Sequence, residues 1–335
     1  MKKNEQQATR QKKKKAIVRR VAFIVALAVF LGSSGYLGYE LVLVPYLNRQ
    51  SLSRFQQLYT PSVPDKTPVA SQEPGGEDEP KEPVVNEKFE PLLELNEDVI
   101  GWLTVPNTTL NYPVFFKPDG HDFYLKRDAE KKYNKLGSLY ISDACSFLPS
   151  PSQVLVMYGH NMEDSDEMFG QLMKFKNADF LKQNPVFTFD SLYRDGKWKI
   201  IGICRASSDI SHGDDFVYYN TQYATESAFG DFIKKMRIRS LYNIQDDVQY
   251  QDQLMVFSTC DYAFYGDRLI VVARKLREGE TEEYVRACYQ FEVNKAALYP
   301  NMYYSTYKKE RPTEEQIEEN YQAFYQKEST GEMAG

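Results

Sequence analysis

Three residue types in this chain can do covalent chemistry at a carbonyl: a cysteine, a histidine and an arginine, each beside an apolar run. Cys260 follows Ser258 and Thr259 in STCDY, Arg268 lies eight residues on in GDRLIVVARKL, and His160 stands near the end of QVLVMYGHN. A thiol reacts as its thiolate, and a nearby cation lowers its pKa. A lone cysteine in apolar surroundings is ordinarily a small core residue. A strand-end histidine elsewhere changes that reading to a Cys-His pair, in which the imidazole moves a proton and the thiolate attacks. His160 is one of only three histidines in the chain.

Such a pair needs strands to hold it, because strand ends fix side chains at a rim. The runs 254–257 and 269–273 are apolar and β-branched, and pairing them as a hairpin puts Cys260 and Arg268 on one rim. Six more strand-like runs precede them, at 100–105, 109–114, 137–142, 154–158, 186–189 and 198–204. Pro, Gly, Asn and Asp punctuate the gaps as turns require. Eight short strands with few long helices predict a closed or nearly closed β-barrel with added helices. The longest interruption, 206–252, places Phe229, Phe232, Ile233 and Met236 at i, i+3, i+4 and i+7. That spacing predicts an amphipathic helix starting near Thr225 or Glu226.

Taken together, YGHNM followed by MFGQL, then STCDY, then GDRLIVVARKL, resembles the sortase family, and within it class B. DVIGW at 98–102 and NYPV at 111–114 resemble the opening of class B catalytic domains, so the resemblance covers roughly 89–276. It implies an eight-stranded sortase-type barrel with a groove on one face, walled on one side by the helix of 206–252. It also implies a reaction: a sorting signal near the C-terminus of a secreted protein, NPxT-like in class B, is cut and joined to an amine of cell-wall peptide. Cys260 would then attack the scissile carbonyl and form a thioester. His160 would protonate the leaving amine and take the proton of the incoming one. Arg268 would hold the carbonyl oxygen and the signal backbone through its planar fork. No cofactor and no metal is required.

For the neighbouring residues the resemblance implies weaker roles, each with an alternative. Ser258 and Thr259 line the groove and offer backbone donors, or their hydroxyls cap their own backbone. Tyr158 and Asn161 flank the histidine and orient it, or Tyr158 is a core aromatic. Asp261 touches substrate, or is a solvated loop acid. Three other functions stay open: a pilin-polymerising sortase, a Cys-His protease without transfer, and a catalytically inert tethered binding module.

The net charge of −6 hides an asymmetry. Residues 1–20 hold nine Lys/Arg against Glu5 alone, +8, which leaves −14 for the rest. That balance argues against nucleic acid as a partner of the main domain. Residues 21–39 carry no charge and are about long enough to span a bilayer. Basic residues before them and Glu40 after them orient the N-terminus to the cytoplasm. The long basic segment and the lack of an A-x-A site favour an uncleaved single-pass anchor over a signal peptide. The expected division is a basic cytoplasmic segment at 1–20, an anchor at 21–44, and a juxtamembrane helix plus linker at 45–88. The barrel at 89–277, outside the cell membrane, and a helical extension at 278–335 complete it. Pro45 predicts an early kink, and 61–83, with six prolines and Glu77-Asp78-Glu79, reads as an extended spacer that sets reach from the membrane.

His121 and His212 sit in polar loops, and neither has a partner at metal-ligand spacing. Cys204 reads as a core residue, and one pair among Cys145, Cys204 and Cys288 could bridge outside the cytoplasm, without the sequence saying which. Beyond the arginine strand, 280–289 looks helical and 299–307 is dense in tyrosine. Thr313-x-x-Gln316 is a capping box that opens a helix with Ile317, Tyr321, Phe324 and Tyr325 on one face. Packing of that face on the barrel is the favoured expectation.

Overall fold

The computed structural model describes residues 2–60, 84–162, 167–209 and 216–325, with side chains from Lys13 onward. The linker at 61–83 and His212 lie outside them. The chain divides into two compact units, Met1–Ser51 and Leu52–Gly335.

The first unit is helical: α1 (Lys2–Gly38), a π-helical turn at Tyr39–Leu43, and the start of α2 (Val44–Leu58). Within Lys13–Leu58 the helix is long and apolar enough to cross a membrane, and Phe23, Ile24, Phe30 and Leu31 are exposed. Pro45 has no N–H to give to the carbonyl of Leu41. The helix widens just before it, with Val44 N–H reaching Tyr39 O, so the expected break takes the form of a π turn.

The second unit is built on a barrel. After α3 (Glu90–Leu95) come β1 (Val99–Thr104), β2 (Asn111–Phe115), β3 (Leu139–Ile141) and β4 (Val154–Tyr158). A 3-10 stretch at Met168–Lys176 and α4 (Ala178–Gln183) lead to β5 (Val186–Ser191) and β6 (Lys197–Ser207). Then follow α5 (Glu226–Arg239), β7 (Tyr242–Ile244), β8 (Leu254–Cys260) and β9 (Asp267–Lys275). The barrel closes in the order β1-β2-β3-β4-β8-β9-β6-β5, with β5 pairing back to β1. All eight expected strands form it. Several run longer than their apolar stretches, because ladder pairing carries polar residues such as Ser258, Arg268 and Arg274 along as strand.

Aromatic residues fill the core: Trp102, Trp198, Phe115, Phe169, Phe187 and Phe257 are almost fully buried, and the Phe257 ring lies 5.2 Å from Phe169 and 4.9 Å from Phe187. Thr225 caps α5, its Oγ1 accepting from Ala228 N–H at 3.2 Å. The helix buries Phe229, Phe232, Ile233 and Met236, the four residues of its apolar stripe. Gly202 of β6 leaves room for the Met236 sulfur, where any side chain would collide.

After the barrel the chain continues through α6 (Glu282–Cys288), β10 (Phe291–Val293, paired with β7), α7 (Asn301–Tyr307) and α8 (Glu314–Tyr325). The capping box of α8 forms in both directions, Thr313 N–H to Gln316 Oε1 at 2.9 Å and Gln316 N–H to Thr313 Oγ1 at 3.2 Å. Its face packs on α5 rather than on strands: Lys234 pairs with Glu318 at 2.9 Å, and the Arg237 guanidinium lies 4.3 Å from the Tyr325 ring. The outer cations of α5 supply what a half-polar, tyrosine-rich face needs.

The core also takes in Leu52, Phe55 and Tyr59, upstream of the linker. The Tyr59 ring stacks on Trp102 at 4.2 Å and 5°, and its hydroxyl donates to Asp190 Oδ2 at 2.7 Å. Lys88, on the far side of the linker, reaches the same oxygen at 2.7 Å. The two ends of the 60–87 segment therefore meet on one buried carboxylate. Tyr59→Ala should lower stability by about 3–5 kcal/mol, the cost of emptying a core aromatic site. Tyr59→Phe, which loses one hydrogen bond to a charged group, should cost about 1.5–3 kcal/mol. Denaturant midpoints for both variants check this, and equal losses would show that the ring packing contributes little.

Candidate active site

Cys260 ends β8, and its partner across the antiparallel ladder is Arg268 of β9. On the other side β8 pairs in parallel with β4, Tyr158 opposite Ser258. β4 ends at Tyr158, and His160 follows two residues beyond it. Side chains tie the strand ends together there: Thr259 Oγ1 donates to Gly159 O and Asn161 Nδ2 donates to Cys260 O, both at 2.8 Å. Gly159 lets the chain pass, since a Cβ would stand 2.5 Å from Leu139 and 2.8 Å from the Phe169 ring. Neighbouring strands lie about 4.8 Å apart. Cysteine and arginine thus face each other across one ladder, and the histidine follows the end of the neighbouring strand.

Arg268 Nη1 contacts the Cys260 sulfur, and both residues are half-buried. His160 Nε2 lies 2.7 Å from Leu125 O. A carbonyl only accepts, so Nε2 carries the hydrogen and Nδ1 is the nitrogen that exchanges a proton. Tyr218, which the sequence reading passed over, lies beside Arg268 and accepts from Ser258 Oγ at 3.4 Å. Burial raises the Tyr218 pKa, with Arg268 pulling the other way. Its only sequence signal was the Tyr218-Tyr219 pair inside the longest interruption.

The flanking side chains are engaged mainly within the protein. Ser258 and Thr259 are each 3 % exposed, with their hydroxyls spent on Tyr218 and Gly159, so backbone is what this pair can offer a ligand. Asn161 holds the cysteine strand rather than the histidine ring. Tyr158 is half-buried with its ring tilted against Tyr140 at 5.5 Å, a packing aromatic. Asp261 is neither a solvated acid nor an exposed contact. Its side chain is 3 % exposed, paired with Lys176 and, at 2.7 Å, with Arg205, whose guanidinium also lies 3.7 Å from Asp267.

The other candidates stand apart from this rim. His121 is exposed and 2.9 Å from Asp143. All four cysteines are free thiols. Burial pushes the Cys145 thiol up to about 11, and Cys204 is a core residue whose thiol faces Met236 O at 3.3 Å. Among the described residues no cluster of His, Cys, Asp or Glu could hold a metal ion.

Known proteins share this arrangement of strands. No family model matches the chain. The sortase B of Listeria monocytogenes is 28% identical over 249 residues, 74% of this chain and 91% of the relative. The sortase B of Staphylococcus aureus is 26% identical over 195 residues, 58% of this chain and 76% of the relative. The crystal structure of sortase B from Bacillus anthracis has the same fold, with a TM-score of 0.57 at 24% identity, covering 70% of this chain and 99% of its own. In sequence and in fold the chain is similar to the class B sortases. Its apolar N-terminal helix is consistent with a membrane anchor.

The carboxylates beside the rim give the protein a pH signature. Burial pushes the Asp267 carboxyl up to about 6, with Asp261 adding to the rise and Arg205 and Lys176 opposing it. An unfolded aspartate titrates near about 3.9, so between these values the folded protein holds a proton that the unfolded chain has released. That stabilisation is fully present below the unfolded pKa and is lost as pH rises through about 6. Asp267→Asn should flatten the fall in thermal midpoint between about pH 4.5 and 7. A variant that loses stability as steeply as the wild type would remove Asp267 as the source.

Proposed function

We propose that the protein cleaves an NPxT-like sorting signal of secreted proteins and transfers the acyl group to an amine of cell-wall peptide. The reading is supported by Arg268 standing opposite Cys260 across the β8–β9 ladder with its guanidinium against the sulfur, and by His160 following the end of neighbouring β4. The Cys260 thiolate attacks the scissile carbonyl, and Arg268 meets the oxyanion with donors that keep their charge. As the C–N bond breaks, His160 gives its proton from Nδ1 to the leaving amine and a thioester remains. The incoming amine attacks the thioester and returns a proton to Nδ1, the new amide forms, and Cys260 departs as thiolate. The tautomer fixed by Leu125 O supports this assignment to Nδ1. The α1 anchor, with its basic N-terminal flank in the cytoplasm, would place the barrel outside the membrane, where both substrates are found.

The test is product analysis by mass spectrometry. A peptide with an NPxT-like motif should be cut slowly alone, giving free acid. Oligoglycine or a diamino-acid wall peptide should shift product to amide. Cys260→Ala should abolish both products, and Arg268→Lys should lower turnover by at least about a hundredfold, the scale of losing one oxyanion donor. Cleavage without amine incorporation across several acceptors would leave a Cys-His protease in place of a transpeptidase.

A further inference from the structure

The turn that joins Cys260 to Arg268, residues 261–266, is closed by Asp261 N–H to Asp267 O and Asp267 N–H to Phe264 O, both at 3.1 Å, and is braced from elsewhere. Tyr262 has φ +62° and Gly266 φ +77°, and a bulky residue in the left-handed region persists only where its surroundings over-determine it. Within the barrel the turn is tied by Tyr262 Oη donating to Asn161 O at 2.6 Å, and by Ser208 N–H to Gly266 O at 2.8 Å. Further support comes from outside the barrel, from α7. Tyr307 Oη donates to Ala263 O at 2.9 Å, and the Tyr303 ring meets the Phe264 ring edge-on at 6.4 Å.

α7 also covers the charge that closes the base of the turn. Arg205 serves two carboxylates at once, Asp261 directly after Cys260 and Asp267 directly before Arg268. The rings of Tyr299 and Tyr303, stacked on each other at 4.3 Å, lie 6.0 and 5.9 Å from its guanidinium. A cation desolvated against aromatic faces is held electrostatically as well as sterically. The segment leading into α7 is anchored to the fold: Leu298 N–H bonds Ile238 O at 2.9 Å, and Asn294 Nδ2 bonds Ser240 O at 2.9 Å.

We propose that α7 is a positioning element of the active site, with Tyr303 and Tyr307 as the positioning residues that hold the 261–266 turn and so the spacing of Cys260 and Arg268. Neither tyrosine touches the thiol. They act through Phe264, Ala263 and Arg205 on the two strand ends. The inference rests on the reading of Cys260 as nucleophile. Its readout is the reactivity of that thiol, which needs no sorting signal and no acceptor.

The experiment uses the full chain in detergent. Alkylation of Cys260 by iodoacetamide is followed against pH, by mass spectrometry of the Cys260 peptide, beside kcat and KM with a sorting peptide and amine. Tyr303→Ala should raise the pH midpoint of alkylation by about half a unit or more, as the cation loses its fixed place beside the thiolate. It should lower kcat by about tenfold with KM within about twofold, as expected of a small misplacement. Tyr303→Phe, which keeps both ring contacts, should restore the wild-type profile. Tyr307→Phe should shift the midpoint in the same direction by less. Unchanged profiles for Tyr303→Ala and Tyr307→Phe in folded protein would overturn the proposal. Should Tyr303→Ala fail to fold, Tyr307→Phe decides alone, since it removes one hydroxyl from the helix surface. A shifted profile in a chain that never forms amide would keep the positioning role and reject the transpeptidase.

Discussion

The backbone ladder from β4 through β8 to β9 is the constraint on which everything reactive depends. Each of its hydrogen bonds contributes modestly, about 0.5–1.5 kcal/mol net. Their collective effect is geometric. A slip of one residue would turn every side chain of β8 to the opposite face and carry Cys260 away from Arg268. The register is fixed because β8 is buried along its length from Leu254 to Thr259. Phe257 is locked between Phe169 and Phe187, so the aromatic core that stabilises the barrel also sets which residue of the strand end faces Arg268.

An arginine–carboxylate cluster stands near each end of β9, and the two behave differently. At the far end Arg274, 1 % exposed, is bonded to Asp246 at 3.1 Å and to both oxygens of Glu280 at 2.7 and 2.9 Å. Those hydrogen bonds hold the Glu280 carboxyl down at about 2. At the catalytic end one guanidinium, Arg205, is shared, and Asp267 stands 3.7 Å from it. Desolvation prevails there and the carboxyl moves up. Removing one partner from a buried pair costs about 3–5 kcal/mol, so both clusters resist change. Only the one at Arg205 lies next to the cysteine and arginine of the rim.

The barrel was legible in the sequence because buried strands announce themselves as apolar, β-branched runs, and all eight did. The rim was legible for a different reason: cysteine, histidine and arginine are each chemically conspicuous at a strand end. What escaped was whatever depends on contact across long separations. Tyr218, Lys176 and Arg205 come from segments far from Cys260, and no local pattern links an arginine inside a strand to the acid after the cysteine. Asp261 and Asp267 look like ordinary loop acids until Arg205 is seen between them. The helices were found by period and cap, Thr225 and Thr313 being unambiguous, but the surface that α8 would meet could not be read from its own stripe.

The segments on either side of the linker change what the linker does. Composition alone makes 61–83 a spacer, with reach proportional to length. Yet Tyr59 before it and Lys88 after it both bond Asp190 Oδ2 at 2.7 Å, and Tyr59 is stacked on Trp102 inside the barrel's core. A segment pinned at both ends to one carboxylate is a closed loop, and lengthening it adds only a logarithmic entropy cost of about 0.6 kcal/mol per doubling. Leu52, Phe55 and Tyr59 of α2 are thereby part of the barrel's core, and insertions in the linker should be tolerated where changes at these three residues are not.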